Sequence, residues 1–157
     1  MLDARQRLTR SSARFGFTLP EMLIVIVIIS VLALVAIPRF ATANGKRHME
    51  SARMRVAAAL ATARAAAIQK GQTVEFKIAS HRVTVRVSGS TTDLLSPIPL
   101  DTLYKVKVGN NISDPYIINY SARGFANLGT SNVPIRLSRT GVPDDSVVVT
   151  PFGMVKR

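Results

Sequence analysis

Cysteine is absent from the 157 residues, and its absence removes disulfides, thiolate metal sites and a thiol nucleophile together. Stability must therefore come from packing. Acidic residues are scarce, 9 against 21 lysines and arginines, for a formal charge of +12. That excess points toward anionic partners such as phospholipid headgroups, nucleic acid or acidic polymers. Histidine is nearly absent too: His48 and His81 are isolated from any serine or carboxylate at the spacing of a triad or metal site, and both read as solvated side chains. There is no phosphate-cradling Gly-Lys-Ser/Thr segment, and Asp144-Asp145 reads as a solvated pair in a turn. Asn111-Ile-Ser113 and Asn119-Tyr-Ser121 match a glycosylation sequon too short to assign a role. The chain is expected to be no enzyme and to use no cofactor and no metal.

What the chain has in abundance is apolar length near its amino end. Residues 1–15, with Arg5, Arg7, Arg10 and Arg14 against Asp3, are too polar to bury anything. From Met22 to Ile37 every residue but Ser30 is apolar, and the stretch from Phe17 matches the ~20 residues that cross a bilayer. The preceding arginines would hold the amino end in the cytoplasm. A secretory signal wants small residues at a cleavage site after the apolar core, where this chain has Val35-Ala36-Ile37-Pro38. A plain single-span anchor accounts for length and orientation but not for Gly16, Phe17 or Glu21.

A third reading accounts for those three. Gly16-Phe17-Thr18-Leu19-Pro20-Glu21-Met22, between a basic leader and an apolar span, resembles the processing motif of type IV pilins and type II secretion pseudopilins. The resemblance implies that a membrane-embedded prepilin peptidase cuts after Gly16 and methylates the new amine of Phe17. It also implies that the span remains in the mature protein and assembles with the helices of other pilins or pseudopilins.

Glu21 admits two roles. Thr18-x-x-Glu21 is a capping box, in which each residue's side chain accepts from the other's amide, and Pro20 fits in a first helical turn. Such a cap is worth only ~1 kcal/mol. In a filament, however, an ionised carboxylate among packed apolar helices must meet a cation or be neutralised. The pilin resemblance implies that cation: the freed Phe17 amine of an axially offset neighbour.

Pro38 can kink or locally melt the helix, and Asn44-Gly45 is a second weak point. Beyond it Met49, Ala52, Val56, Leu60, Ala63 and Ala67 recur at helical spacing to about Lys70, with Gly71 as a stop. Alternation then becomes twofold: Val74, Phe76 and Ile78, a turn at Ala79-Ser80-His81, then Val83, Val85 and Val87. A proline-broken loop follows over 88–99. Further strands are predicted at 104–108, 116–121, 133–138 and 147–150, with a last edge at 152–156. The expected fold class is α+β and pilin-like, a long amino-terminal helix packed on an antiparallel β-sheet domain. The expected divisions are a removed basic leader (1–16), a transmembrane assembly helix (17–38), its amphipathic continuation (39–70) and a periplasmic β-rich domain (71–157). That layout predicts a single pass through the inner membrane, with the carboxy-terminal domain in the periplasm and later in a pilus or pseudopilus.

The second half is also similar to the GspH/FimT family of minor pilins and pseudopilins, through Tyr120-Ser-Ala-Arg-Gly124, the segment Val133-Pro-Ile-Arg-Leu137 and the terminal run from Val147 to Arg157. Loss of residues 1–16 removes four arginines and one aspartate, leaving a formal +9, so the basic excess belongs to the mature chain. Lys105, Lys107, Arg123, Arg136, Arg139, Lys156 and Arg157 all lie in this half. Some members of that branch bind DNA during natural transformation through a basic Gly-Arg-x-Arg tail. Here Gly153-Met-Val-Lys-Arg157 has methionine at the first arginine position. Arg136, Arg139, Lys156 and Arg157 are the candidate DNA contacts; a merely solvated basic surface is the alternative.

Overall fold

The computed structural model describes residues 16–109 and 112–156. The leader, apart from Gly16, and Arg157 lie outside the described residues. The chain divides into two units, one ending at Arg39 and the other running Phe40–Arg157.

Helix α1 (Leu19–Lys70) begins in the first unit. Its early side chains are mostly exposed: Leu19 and Leu34, for example, are 89% and 80% exposed. Ser30 turns its hydroxyl onto the Ile26 carbonyl at 2.7 Å, which satisfies its polar group within the helix, as an apolar solvent requires. Among the described residues α1 is the helix long and apolar enough to cross a membrane, with a mean hydropathy of 2.8 over its most apolar window. The local melting expected at Pro38 does not occur, and the assignment is equally unbroken at Asn44-Gly45. Proline removes one rung of the helical ladder, and the turns on either side carry the helix past it.

In the second unit α1 presents Met49, Ala52, Val56, Leu60, Ala63 and Ala67, all buried, to two four-stranded antiparallel sheets. Gly45 is buried because a Cβ there would stand 2.7 Å from Cγ2 of Val142; close approach rather than weakness accounts for that glycine. Gly71, at φ +62°, ends the helix.

The first sheet has the order β3-β2-β1-β5, from β1 (Val74–Ala79), β2 (Arg82–Val87), β3 (Ile98–Pro99) and β5 (Tyr116–Tyr120). The β1–β2 hairpin turns through Ser80 and His81, both at positive φ, 48° and 60°, as a tight hairpin turn demands. The second sheet, β4-β6-β7-β8, is built from β4 (Lys107–Val108), β6 (Val133–Arg139), β7 (Val142–Val149) and β8 (Val155–Lys156). Phe76, Ile118 and Tyr120 of the first sheet and Ile135, Leu137, Val147 and Val149 of the second close one core with the helix. The α+β expectation holds, with two sheets where one was expected.

Three local expectations fail. Residues 104–108 do not form one strand: a short helix α2 (Leu100–Tyr104) ends at Lys105, whose left-handed φ of 55° breaks the alternation, and β4 keeps only two residues. Strand β7 starts at Val142, five residues before the expected start, and passes through Pro143 and Asp144. Among the described residues β8 pairs with β7 at Val148 and Val149, well short of Pro143, where the strand has an open side that tolerates a missing N–H. The loop expected over 88–99 gives its last two residues to β3.

Candidate functional site

At the amino end, Gly16, Phe17 and Glu21 are exposed. The Thr18 amide donates to Oε2 of Glu21 and the Glu21 amide to Oγ1 of Thr18, each at 3.4 Å, so the capping box exists as a long, reciprocal pair. Met22 N–H donates to the Thr18 carbonyl at 3.1 Å and starts the ladder. Among the described residues no cation lies within ion-pair distance of Glu21. Among the described residues a Cβ on Gly16 would meet nothing within 4 Å, so packing against them does not require glycine.

The basic candidates separate into three groups. Arg136 is exposed on β6, where Ile135 and Leu137 on either side face the core. Its antiparallel partner is Ser146, Val148 pairs with Lys156 across β7–β8, and Ser138 pairs with Lys107 across β4–β6. Directly opposed residues share a face and alternate residues return to it. Lys107, Arg136 and Lys156 therefore stand on the outer face of the second sheet, Arg136 and Lys156 ~12 Å apart by strand spacing. Asp144 lies on the same face toward the β6–β7 hairpin. Arg139 is recruited elsewhere: half-buried, it donates from Nη1 to the Tyr104 carbonyl and ties α2 to the end of β6. Lys105 and Arg123 are exposed at turns, and Arg157 lies outside the described residues.

Two polar assignments from sequence need correction. His81 is not a merely solvated side chain; it is half-buried and its Nδ1 accepts from the Val108 amide at 3.2 Å, joining the β1–β2 turn to β4. Asp145 is within β7 rather than a solvated turn, and its carboxylate meets Arg53 of α1 at 3.2 Å. Both partners are partly exposed, so the pair contributes at most ~1 kcal/mol. Among the described residues no cluster of His, Asp or Glu has the makings of a metal site.

Sequence reasoning also missed Arg64. Its Nε donates to the Gly124 carbonyl at 3.1 Å, and beneath it Gly153, at φ +73°, lies so close that a Cβ would come within 2.2 Å of that same oxygen. The signal in the sequence was the pair of glycines, Gly124 and Gly153, whose close approach in space no local pattern shows. Near Arg64, Tyr120 is fully buried, and among the described residues its hydroxyl has no hydrogen-bond partner. Burial pushes its pKa up to about 12, against a smaller lowering by the Arg64 charge.

Comparison with known proteins agrees with both ends of the chain. A family model described as the prokaryotic N-terminal methylation motif matches residues 11–37. No curated protein matches the chain. Two crystal forms of the Pseudomonas aeruginosa type IV minor pilin FimU are similar in structure, each with a TM-score of 0.53 and 13% identity. One match covers 68% of this chain and 90% of that one, the other 71% and 88%. At that identity the likeness concerns the fold. The chain thus carries a prokaryotic N-terminal methylation motif at its amino end and, behind it, a fold similar to that of a type IV minor pilin.

Proposed function

We propose that the protein is a structural, non-catalytic subunit, a minor pilin or pseudopilin, of a type IV pilus or type II secretion pseudopilus. In this reading prepilin peptidase removes residues 1–16, Phe17 becomes the N-methylated terminus, and residues 17–38 anchor the subunit in the inner membrane before assembly. The carboxy-terminal domain then lies in the periplasm. The observation that carries the reading is Glu21, a carboxylate on an exposed apolar helix whose contacts, among the described residues, are to Thr18. Packing that helix against others removes its water, and charge neutralisation by a neighbour's Phe17 amine resolves the cost while setting the axial offset. Gly16 supports the same reading, because a position that the described residues leave open is small for some other reason, such as the fit of a peptidase. Co-expression with a prepilin peptidase tests it: the wild-type chain should shorten and Gly16→Glu should not. A wild-type chain that stays full length contradicts it.

A second reading, a DNA-binding minor pilin acting in DNA uptake, draws support from one observation. Lys107, Arg136 and Lys156 share the outer face of the second sheet, and three cations on one face can neutralise phosphates without reading sequence. Arg139 is committed to Tyr104 and adds little to that face.

A further inference from the structure

Between Phe40 and its end at Lys70, α1 has two apolar stripes. One, including Val56, Leu60 and Ala63, is buried in the core. The other, Met54, Ala58, Ala61, Ala65 and Ile68, is exposed. Its spacing of four, three, four and three is that of the seam of paired helices. Small residues at its centre allow a second backbone to come close, and its ~21 Å length is four turns. Beside the seam the chain end folds back at Gly153–Val155, leaving a groove of about 550 Å³ that runs along Ala57, Ala61, Arg64, Ala65 and Ile68. Met154 is 49% exposed over it, and Phe125 and Phe152 continue the apolar surface with ring centroids 6.3 Å apart.

The charge around this groove has one sign. In the numbering of a paired-helix seam, Arg55 and Arg64 occupy the two flanking positions that face a partner's charged residues. Residues 51–70, 121–129 and 150–156 hold no aspartate or glutamate; Arg53 is paired with Asp145 of β7, which leaves Arg55 and Arg64 as the cations beside the seam. Arg64 is held by its Nε on the Gly124 carbonyl, which positions its guanidinium at the groove, and among the described residues it has no carboxylate partner.

We propose that this groove docks an acidic amphipathic helix of a different subunit in the same filament. The inference rests on the filament reading above and adds a partner to it. A second copy of this chain fits poorly, since seam against seam would set Arg55 and Arg64 against their own kind. A nucleic-acid backbone would satisfy the cations and leave the seam and the two phenylalanines in water. An apolar segment flanked by carboxylates satisfies both.

The test uses the full-length protein in filament-forming cells, with a photoreactive benzoylphenylalanine in place of Ala61 and, in a separate strain, in place of Ile26 in the apolar span. The expected result is an Ala61 adduct with an acid-flanked helical segment of another pilin-like subunit. Its yield should fall about fivefold in the Arg55→Gln/Arg64→Gln background and stay near wild type in Arg64→Lys, which also loses the Nε bond to Gly124 but keeps the charge. Adducts to lipid, to nucleic acid or to a second copy overturn the proposal. So does an Ala61 site that stays silent while Ile26 reacts with a neighbouring subunit, a result that leaves the filament reading standing. Silence at both positions overturns both.

Discussion

The amide of Glu21 and the hydroxyl of Thr18 lie 3.4 Å apart, as do the amide of Thr18 and the carboxylate of Glu21. A reciprocal cap at that length is weak, worth ~1 kcal/mol or less. It does not require a charge, because a glutamine can close the same box. Glu21→Gln should therefore be inserted and cleaved normally but be missing from sheared filaments. Thr18→Ala, which removes the cap and keeps the charge, should still be incorporated. Immunoblots of the sheared fraction separate the two, and equal incorporation of Glu21→Gln and wild type would reduce Glu21 to a cap.

Tyr120 makes stability depend on alkaline pH. Its buried hydroxyl has no hydrogen-bond partner among the described residues and holds its proton to about pH 12, against an ordinary 10. The unfolded chain gives up that proton first. The contribution is thus complete below pH ~10 and is lost as pH rises toward 12, amounting to about 2–3 kcal/mol. Tyr120→Phe should abolish this component of the alkaline loss. At neutral pH it should leave stability unchanged or raise it by ~1 kcal/mol, since an unsatisfied hydroxyl leaves the core. Chemical denaturation at pH 7 and pH 11 reads both effects.

Gly153 and Gly129 both have positive φ, but only Gly153 is crowded, since a Cβ added to it would stand 2.2 Å from the Gly124 oxygen. Gly129→Ala should cost ~1 kcal/mol for conformation. Gly153→Ala should cost roughly 3 kcal/mol or more and lower the melting temperature by about 10 °C, because the backbone of the 121–124 turn must move. Comparable melting of the two variants would place the chain end elsewhere.

If the outer face of the second sheet engages nucleic acid, replacing Lys107, Arg136 and Lys156 together by alanine should weaken gel retardation at low salt and reduce the salt slope by roughly 2–3. Arg139→Ala should instead destabilise the α2–β6 junction. No retardation of the wild-type protein at low salt would remove the DNA reading.

The elements that sequence revealed are those whose reason is local. The buried stripe of α1, the alternation in β1 and β2 and the stop at Gly71 all follow from residue spacing. What it hid depends on residues far apart in the chain. Gly45 resembled a break until Val142 was seen to need its space. Pro143-Asp144 resembled a turn because nothing local shows that β8 stops short of them. Alternation over 104–108 was genuine but yielded to Lys105 in the left-handed region. At the site, the Gly-Phe-Thr-Leu-Pro-Glu run was fully legible, being linear. The sharing of a face by Arg136 and Lys156 was not, since it requires the β6–β7–β8 register, and neither was the tie from Arg139 to Tyr104.

The claim on which the rest depends is that a free, methylated amine is created on Phe17 to meet Glu21 of a neighbour. Mass spectrometry of the amino-terminal peptide of the protein purified from its own membranes tests it most directly. The account predicts a peptide that begins at Phe17 and bears one added methyl group. A mature chain that begins at Met1, or anywhere beyond the apolar span, would contradict it.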